Sequence, residues 1–190
     1  GQWDLFARAN YDQVKWTNFY GLGNESVEVT RSTNYYRMRT EDASANLGLN
    51  RRFMKSNIRM TAFYQRVKVI NDAARFVAKA IAPADVNVFN ADNYGGAQVA
   101  YSFADVKDSV LPQKGITFSA LAKHTHNFEE CENSFQRYSG IVQFVIQLIP
   151  KFSLAIKTVY ATITGTAEFY QYPSLGESSN RGGFIGEQLR

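Results

Sequence analysis

The chain is poor in the residues that carry covalent and metal chemistry. Its 190 residues include one cysteine, Cys131, which excludes a disulfide within the sequence, and only two histidines. Neither histidine lies in a recognisable serine-hydrolase motif, and Gly21-Leu22-Gly23 is too short for a dinucleotide-binding fingerprint. We therefore predict a protein that is not an enzyme and that needs no cofactor.

The two histidines, His124 and His126, are two positions apart and would share one face of a strand. With Glu129, Glu130 and Cys131 they form the one cluster that could bind a metal. We favour a polar strand end that runs into a loop, because nothing in the sequence closes a coordination shell. No metal site is predicted.

Long apolar runs and strong charge are also missing. No stretch approaches the roughly 18 apolar residues of a membrane-spanning helix. The formal net charge is only +4, from 21 basic and 17 acidic residues, and the scattered basic residues argue against a nucleic-acid partner. The sequence begins at Gly1 without a signal peptide, so we interpret it as a mature or internal segment.

The sequence does have a two-residue period of apolar side chains. The clearest case is the segment that begins at Ile116. One face of this predicted strand carries Ile116, Phe118, Ala120 and Ala122, and the other face carries Thr117, Ser119 and Lys123. Such segments have about the length of a tilted membrane-crossing strand, roughly 9–11 residues. A chain without apolar helices can cross a membrane if its strands close into a barrel.

Seven strands are predicted from this period. They begin near residues 2, 34, 58, 97, 116, 134 and 152. Tyr36 and Met38 are out of phase with the later half of the second strand, which predicts a bulge near residues 40–42. The intervening segments alternate in length: 12–33, 71–92 and 126–133 are longer or more polar than 50–57 and 150–151, with 105–115 intermediate. This asymmetry is typical of transmembrane barrels.

The side chains predicted to point outward include aromatic residues that could form girdles at the two membrane interfaces: Trp3, Tyr11, Tyr36, Tyr101, Tyr138 and Tyr160. The alternative is ordinary packing inside a water-soluble barrel. Polar residues predicted to point inward argue against that alternative: Gln98, Ser119, Gln143 and Lys157.

An open seven-stranded sheet would leave two unpaired edges in lipid, which is not tolerated, and bacterial barrels have an even number of strands. We therefore predict an antiparallel, all-β transmembrane barrel of which residues 1–190 form one segment. A glycine-rich tail, 165–190, follows the seventh strand.

Three groups of residues resemble the barrels of the bacterial surface antigen superfamily, which assemble or translocate proteins at the outer membrane. They are FYGLGNE at 19–25 with YYRMR at 35–39, DVKD at 105–108 with LPQKGI at 111–116, and EFYQ at 168–171 with the tail. The resemblance covers nearly the whole chain and implies about seven strands of a sixteen-stranded barrel. It also implies about four strands before residue 1 and about five after residue 190.

The second group resembles the family's periplasmic-turn motif, which reads D-x-R-D followed by L-P-T-R-G. The matching residues are Asp105, Lys107, Asp108, Pro112 and Gly115, with Lys107 where the family usually has arginine. The resemblance implies a structural role, in which proline and glycine set the backbone of the turn.

The third group resembles the family's lumenal loop, which folds back into the barrel so that an arginine reaches an acidic group on the wall. The matching residues are Leu175, Gly176, Asn180, Arg181, Gly182, Gly183 and Phe184. Aligned without gaps, Arg181 stands where the family has leucine, and Gly182 stands where it has the arginine. Either Arg181 serves after a one-residue slip, or the contact is lost. The resemblance would make the tail this loop.

The resemblance implies a non-catalytic protein of the bacterial outer membrane. One branch of the family carries a metallophosphatase-like domain before the barrel. The implied partners are outer-membrane lipid, client outer-membrane or secreted proteins, and accessory lipoproteins. Two alternatives stay open: a passive pore or transporter barrel that shares only the architecture, and a soluble β-barrel that binds an apolar ligand.

Overall fold

The computed structural model of the chain describes residues 2–19, 32, 34–81, 87–107, 114–129, 134–149 and 152–172. These residues form β1 (Trp3–Asn18), β2 (Arg37–Phe53), β3 (Ser56–Val69), α1 (Phe76–Ala80), β4 (Ala91–Lys107), β5 (Lys114–Asn127), β6 (Ser134–Ile149), β7 (Phe152–Gly165) and a 3-10 helix, Phe169–Gln171. No helix in these ranges is long and apolar enough to cross a membrane.

The seven strands form one antiparallel sheet in which every strand pairs with its neighbours in sequence, in the order β1 to β7. The prediction of an antiparallel all-β fold is confirmed. Among the described strands, β1 and β7 each have a single neighbour, so this sheet is open. Because direction alternates from strand to strand, β1 and β7 run the same way.

The two faces of the sheet differ in exposure. Except for Gly95, which lies under the Phe128 ring on the outward face, the buried strand residues lie on one face, which we call the inner wall: Met38, Thr40, Gly48, Asn50, Thr61, Val67, Val69, Tyr94, Thr125, Asn127, Phe135, Gln143 and Val145. The outward face carries large apolar side chains that remain exposed, among them Leu5, Leu47, Met60, Val99, Phe118, Phe144, Ile146, Leu154, Ile156 and Tyr160. The predicted alternation is therefore confirmed, including the inward positions Gln98, Ser119, Gln143 and Lys157.

The sheet curves toward its inner wall. The rings of Phe19, just after β1, and Phe169, just after β7, have centroids 4.8 Å apart. In a flat sheet six strand spacings would separate β1 from β7 by about 29 Å. Gly165 and Phe169 are four Cα–Cα steps apart, so the chain between them spans at most about 14 Å when fully extended. The sheet must therefore be curved for the two rings to lie in contact.

An apolar core lies at the upper end of the sheet, where β1, β3, β5 and β7 end. It joins buried residues of β2 and β3 to the helix α1 and to the chain after β7: Met38, Val69, Val77, Val88 and Phe169. Tyr36, predicted to point outward, is only 1% exposed. That prediction is wrong, because Tyr36 packs edge-on against Tyr35 and in a tilted geometry against Phe76.

The bulge lies on a different strand from the one predicted. The pairing of β2 with β3 runs without a shift from Thr40 to Phe53, whereas the pairing of β1 with β2 shifts between Asp12 and Lys15. Met38 is out of phase because it faces the inner wall and joins the apolar core. The change of phase at the start of β2 therefore reflects apolar side chains buried on the inner wall and not a bulge in that strand.

The connections differ in length at the two ends, as predicted. At the lower end β2 and β3 join through a two-residue turn, in which Met54 has a φ of +50°. The predicted turn at 50–57 was too long because both strands continue further. The first strand also continues to Asn18, well into the predicted loop 12–33, and the upper connection between β3 and β4 contains α1.

Candidate functional site

The chain leaves β7 through a backbone bend that turns it back over the inner wall. Gly165 has a φ of +95°, and a Cβ there would lie 2.3 Å from the carbonyl oxygen of Ser134. Only glycine fits this position without strain. The amide of Thr166 then donates to the same Ser134 oxygen at 3.2 Å. We call residues 166–172, which follow this bend, the strap.

Phe169 fixes the strap in the apolar core. Its side chain is 8% exposed and packs with Met38 of β2 and Val69 of β3. Its ring also lies against that of Tyr170 at 5.2 Å in an edge contact. A segment that leaves the last strand is therefore held by residues of the second and third strands.

A chain of polar contacts holds the neighbouring residue. The Tyr170 hydroxyl donates to Asp92 Oδ2 at 2.5 Å and lies 2.6 Å from the Tyr94 hydroxyl. Because the single proton of Tyr170 goes to the carboxylate, Tyr94 donates to Tyr170. Burial raises the pKa of Tyr170, which keeps this donor protonated. Asp92 and Tyr94 belong to β4, so the strap reaches the middle of the sheet.

Of the turn motif, Asp105, Lys107 and Gly115 lie within the described ranges. Asp105 forms an ion pair with Lys55 at 2.6 Å, and the amide of Ala104 donates to the Lys55 carbonyl. These contacts tie the turn between β2 and β3 to the lower end of β4. Both charged side chains are about half exposed, so the pair contributes at most about 1 kcal/mol. Lys107 pairs with Lys114 across the two strands.

The remaining residues singled out by the resemblance lie outside the described ranges. They are Asp108, Pro112, Leu175, Gly176, Asn180, Arg181, Gly182, Gly183 and Phe184. The structure therefore brings together Asp105 and Gly115 of the turn motif but does not place any residue of the loop motif.

Gly115 is the turn-motif residue with the clearest backbone requirement. Its φ is +152°, and an added Cβ would lie 2.2 Å from the Asp105 carbonyl oxygen. We expect Gly115→Ala to lower the free energy of unfolding by about 1–3 kcal/mol. Urea titration followed by tryptophan fluorescence would measure it. Gly140→Ala is the matched control, because its Cβ would meet nothing nearer than 3.8 Å; equal effects would contradict the strain argument.

The two histidines share one face of β5, as their spacing predicts, and that face is the outward one. His126 Nδ1 lies 2.8 Å from Ser134 Oγ, and its ring contacts Phe128 edge-on. Within the ranges that the structure describes, no group of three potential metal ligands comes together. Glu130 and Cys131, the other members of the cluster, lie outside those ranges.

A cleft of about 480 Å³ opens at the upper end, between β2 and the segment that carries α1. Its lining is mixed in charge and includes Arg37, Arg39, Asp72 and Arg75. Arg75 binds Asp72 through Nε at 2.8 Å, donates to the Asn34 carbonyl and lies over the Trp16 ring. This arginine therefore connects the α1 segment to the ends of β1 and β2.

Asp72 gives the α1 segment a pH dependence. The hydrogen bond from Arg75, followed by that from the Ala74 amide, lowers the pKa of Asp72. A carboxyl group whose pKa is lower in the folded state than in the unfolded state stabilises the fold. This stabilisation is complete above the unfolded-state pKa of about 3.9, and it is lost as the pH falls through the folded-state pKa. We expect exchange of the Ala74 amide to accelerate, relative to the intrinsic rate, below about pH 4. Asp72→Asn should remove this pH dependence, and an unchanged profile would contradict it.

Comparisons with known proteins give no further guidance. No family model matches the chain, and neither the curated proteins nor the solved structures contain a significant match. The segment EFYQ at 168–171 was predicted only as part of the resemblance, and the contact of Tyr170 with Asp92 was not predicted. The pair of aromatic residues soon after Gly165 was the available signal.

Proposed function

We propose that the seven strands are part of a transmembrane β-barrel of the bacterial outer membrane. The observation that carries this proposal is the outward face, where large apolar side chains on all seven strands remain exposed to the surroundings. A water-soluble protein seldom exposes one continuous apolar patch of this extent. Hydrocarbon tails are the environment in which such a face is favourable.

The tilt of the apolar band supports the same proposal. On β1 the outward apolar run from Trp3 to Tyr11 is centred on Ala7, and the pairing leads from Ala7 across the sheet to Thr164 of β7. The band on β7 is instead centred on Ile156, eight residues earlier. At about 3.3 Å per residue and about 4.8 Å per strand, this drift over six strand spacings corresponds to a strand tilt of about 40°. Transmembrane barrels have tilts of about 35–45°.

The direction of the outermost strands restricts how such a barrel closes. β1 and β7 run the same way, so joining β7 of one copy to β1 of another would create a parallel seam. A fully antiparallel barrel instead requires an odd number of further strands between β7 and β1. Nine further strands would complete the sixteen that the family resemblance implies.

Within that barrel, we propose a role in assembling, inserting or translocating client proteins at the outer membrane, by binding and without bond chemistry. The support is the resemblance of the turn and tail motifs, together with the strap. Phe169 and Tyr170 start the tail across the inner wall, where the resemblance would have the lumenal loop lie. Outer-membrane lipid, unfolded clients and accessory lipoproteins are the corresponding partners.

The decisive experiment reconstitutes the protein in liposomes of outer-membrane lipid and adds a urea-unfolded client barrel. Folding of the client is followed by its resistance to unfolding in detergent gels. We expect faster client folding than in liposomes that contain an unrelated small barrel. Equal folding rates would contradict the assembly role.

The polar inner wall, with Gln98, Ser119, Gln143 and Lys157, also favours a second candidate, a passive pore. A planar-bilayer recording separates the two. A large, steady, ion-selective current without any acceleration of client folding would support the pore and exclude the assembly role.

A further inference from the structure

The cleft at the upper end reaches the outward side of the sheet. Arg37 and Arg39 of β2 alternate with the inward residue Met38, so both arginines point outward, and both line the cleft. Trp16 of β1 is the Cα partner of Arg39 and lines the same cleft. The cleft therefore lies above the outward apolar run of β1, which ends at Tyr11.

The two tryptophans of the chain indicate the level of this cleft in the proposed barrel. Trp3 and Trp16 both belong to β1 and both point outward. Trp16 comes 13 positions after Trp3, which at about 3.3 Å per residue and a tilt of about 40° corresponds to about 33 Å along the membrane normal. The hydrocarbon core of a bilayer is about 30 Å thick, and tryptophan is enriched at its two interfaces. Trp16 and the cleft beside it would therefore lie at the level of lipid headgroups.

The arginines that line the cleft are not equally engaged. Arg75 donates through Nε to Asp72, the acidic residue of the described lining, and its guanidinium carbon lies 5.6 Å from the centroid of the Trp16 ring. Arg37 and Arg39 take part in no ion pair among the residues that the structure describes. The cleft therefore carries two positive charges for which its described lining offers no partner.

The two unpaired guanidinium groups are placed to act together. Arg39 is fixed by the strand, because its carbonyl accepts from the Ile70 amide at 2.9 Å, and its Nε is buried. Neither of its Nη atoms is among the buried unpaired atoms, so these are the atoms that can reach a ligand. Arg37 is exposed and lies two residues away on the same face. Paired guanidinium groups donate in a geometry that matches the oxygens of one phosphate.

The remainder of the cleft and the surface below it are apolar. The apolar part of the lining includes Ile70, Ala73, Val77, Ala78 and Phe89, and the volume of about 480 Å³ leaves room for a phosphate group. Below the arginines on the outward face, Ala9 is the partner of Ala45, and Ala43 lies two residues further along β2. Between these alanines and Arg39, Glu41 has Lys68 as its cross-strand partner. Small side chains leave a shallow channel in which an acyl chain can lie.

We propose that Arg37 and Arg39, beside Trp16, bind the negatively charged phosphate group of a membrane lipid at the upper end of the barrel. The proposal rests on the membrane placement of the outward face and goes beyond the assembly role. A lipid fits better than a free phosphate ion, because the cleft reaches the side that faces hydrocarbon and continues into the alanine channel. A lipid bound there would join β1 and β2 to the α1 segment.

The two tryptophans allow a test with one matched pair of proteins. Trp3→Phe leaves Trp16 as the only tryptophan, and Trp16→Phe leaves Trp3, which has Arg51 over its ring but lies at the opposite end of β1. Each protein is reconstituted in phosphatidylcholine vesicles that contain a small fraction of phosphatidic acid with brominated acyl chains. Bromine quenches tryptophan on contact, so the quenching measures the enrichment of this lipid beside each ring.

We expect phosphatidic acid to bind beside Trp16 about tenfold more tightly than brominated phosphatidylcholine, and beside Trp3 by no more than about twofold. Arg37→Gln and Arg39→Gln should each lower the preference at Trp16 several-fold. Arg8→Gln removes one positive charge from the inner wall and should leave it unchanged. If Arg39→Gln does not insert, the exposed Arg37 and the comparison of the two tryptophans decide the question.

The other outcomes separate this proposal from its alternatives. Equal preference at the two tryptophans, or an unchanged preference in Arg37→Gln, would overturn the lipid site while leaving the membrane barrel supported. A saturable change of Trp16 emission with inorganic phosphate in neutral detergent, together with equal quenching by the two brominated lipids, would show a site for the free ion and overturn the lipid assignment. Quenching by neither lipid would contradict the membrane barrel itself.

Discussion

Val99→Arg is expected to cost about 2–4 kcal/mol of folding free energy in a lipid bilayer. Val99 lies near the middle of the outward apolar run of β4 and is 49% exposed. If this face contacts hydrocarbon, the guanidinium group must be buried in lipid or must deform the membrane around it. Urea-dependent folding into phospholipid vesicles would measure the cost.

An inward position on the neighbouring strand provides a control for Val99→Arg. Ser119 of β5 points to the inner wall and faces the uncharged residues Ser102 and Ile141, so Ser119→Arg should change the folding free energy much less. In a water-soluble sheet the order would be reversed, since an arginine at an exposed position normally changes stability by at most about 0.5 kcal/mol. A Val99→Arg protein that folds as well as the parent would contradict the membrane proposal.

Phe169→Ala is expected to release the strap from the inner wall. The substitution removes a nearly buried ring from the upper core, and Phe→Ala changes in cores cost about 3–5 kcal/mol. The remaining bonds from Tyr170 to Asp92 and Tyr94 should not compensate, because hydrogen bonds contribute about 0.5–1.5 kcal/mol each. Hydrogen exchange of the peptide that contains residues 166–172, followed by mass spectrometry, would report the release.

Tyr172→Ala is the matched control for the strap. Tyr172 lies three residues further along the same segment but is 47% exposed, so its removal should leave exchange of the strap nearly unchanged. Equal acceleration in the two variants would show that the segment is mobile for another reason. Unchanged exchange in Phe169→Ala would show that the core does not hold it.

Strand positions could be read from the sequence where one face is apolar throughout. The sixth strand was predicted at 134–149, and the structure has Ser134–Ile149. The prediction was less accurate at the upper end of the sheet, where β1 continues to Asn18 although a loop was predicted from residue 12, and where the phase of the first half of β2 was misread as a bulge. On β2 and β3 the inner wall also becomes apolar at this end. Met38, Val67 and Val69 face inward there, so the alternation that marks a two-faced strand is lost.

The functional elements were harder to predict because they depend on contacts between distant segments. Tyr170 and Asp92 are 78 residues apart, and neither has a local pattern that indicates the other. The resemblance of the turn motif, by contrast, identified Gly115, whose backbone angle is unusual for a residue with a side chain.

The long outer strand β1 also has a consequence for the isolated chain. Its 16 residues are exposed along almost their whole length, and one side offers amide and carbonyl groups that no described strand satisfies. An unpaired strand edge of this kind is a template for pairing with identical chains in water. The chain is therefore expected to self-associate in water, and refolding yields should fall steeply as protein concentration rises.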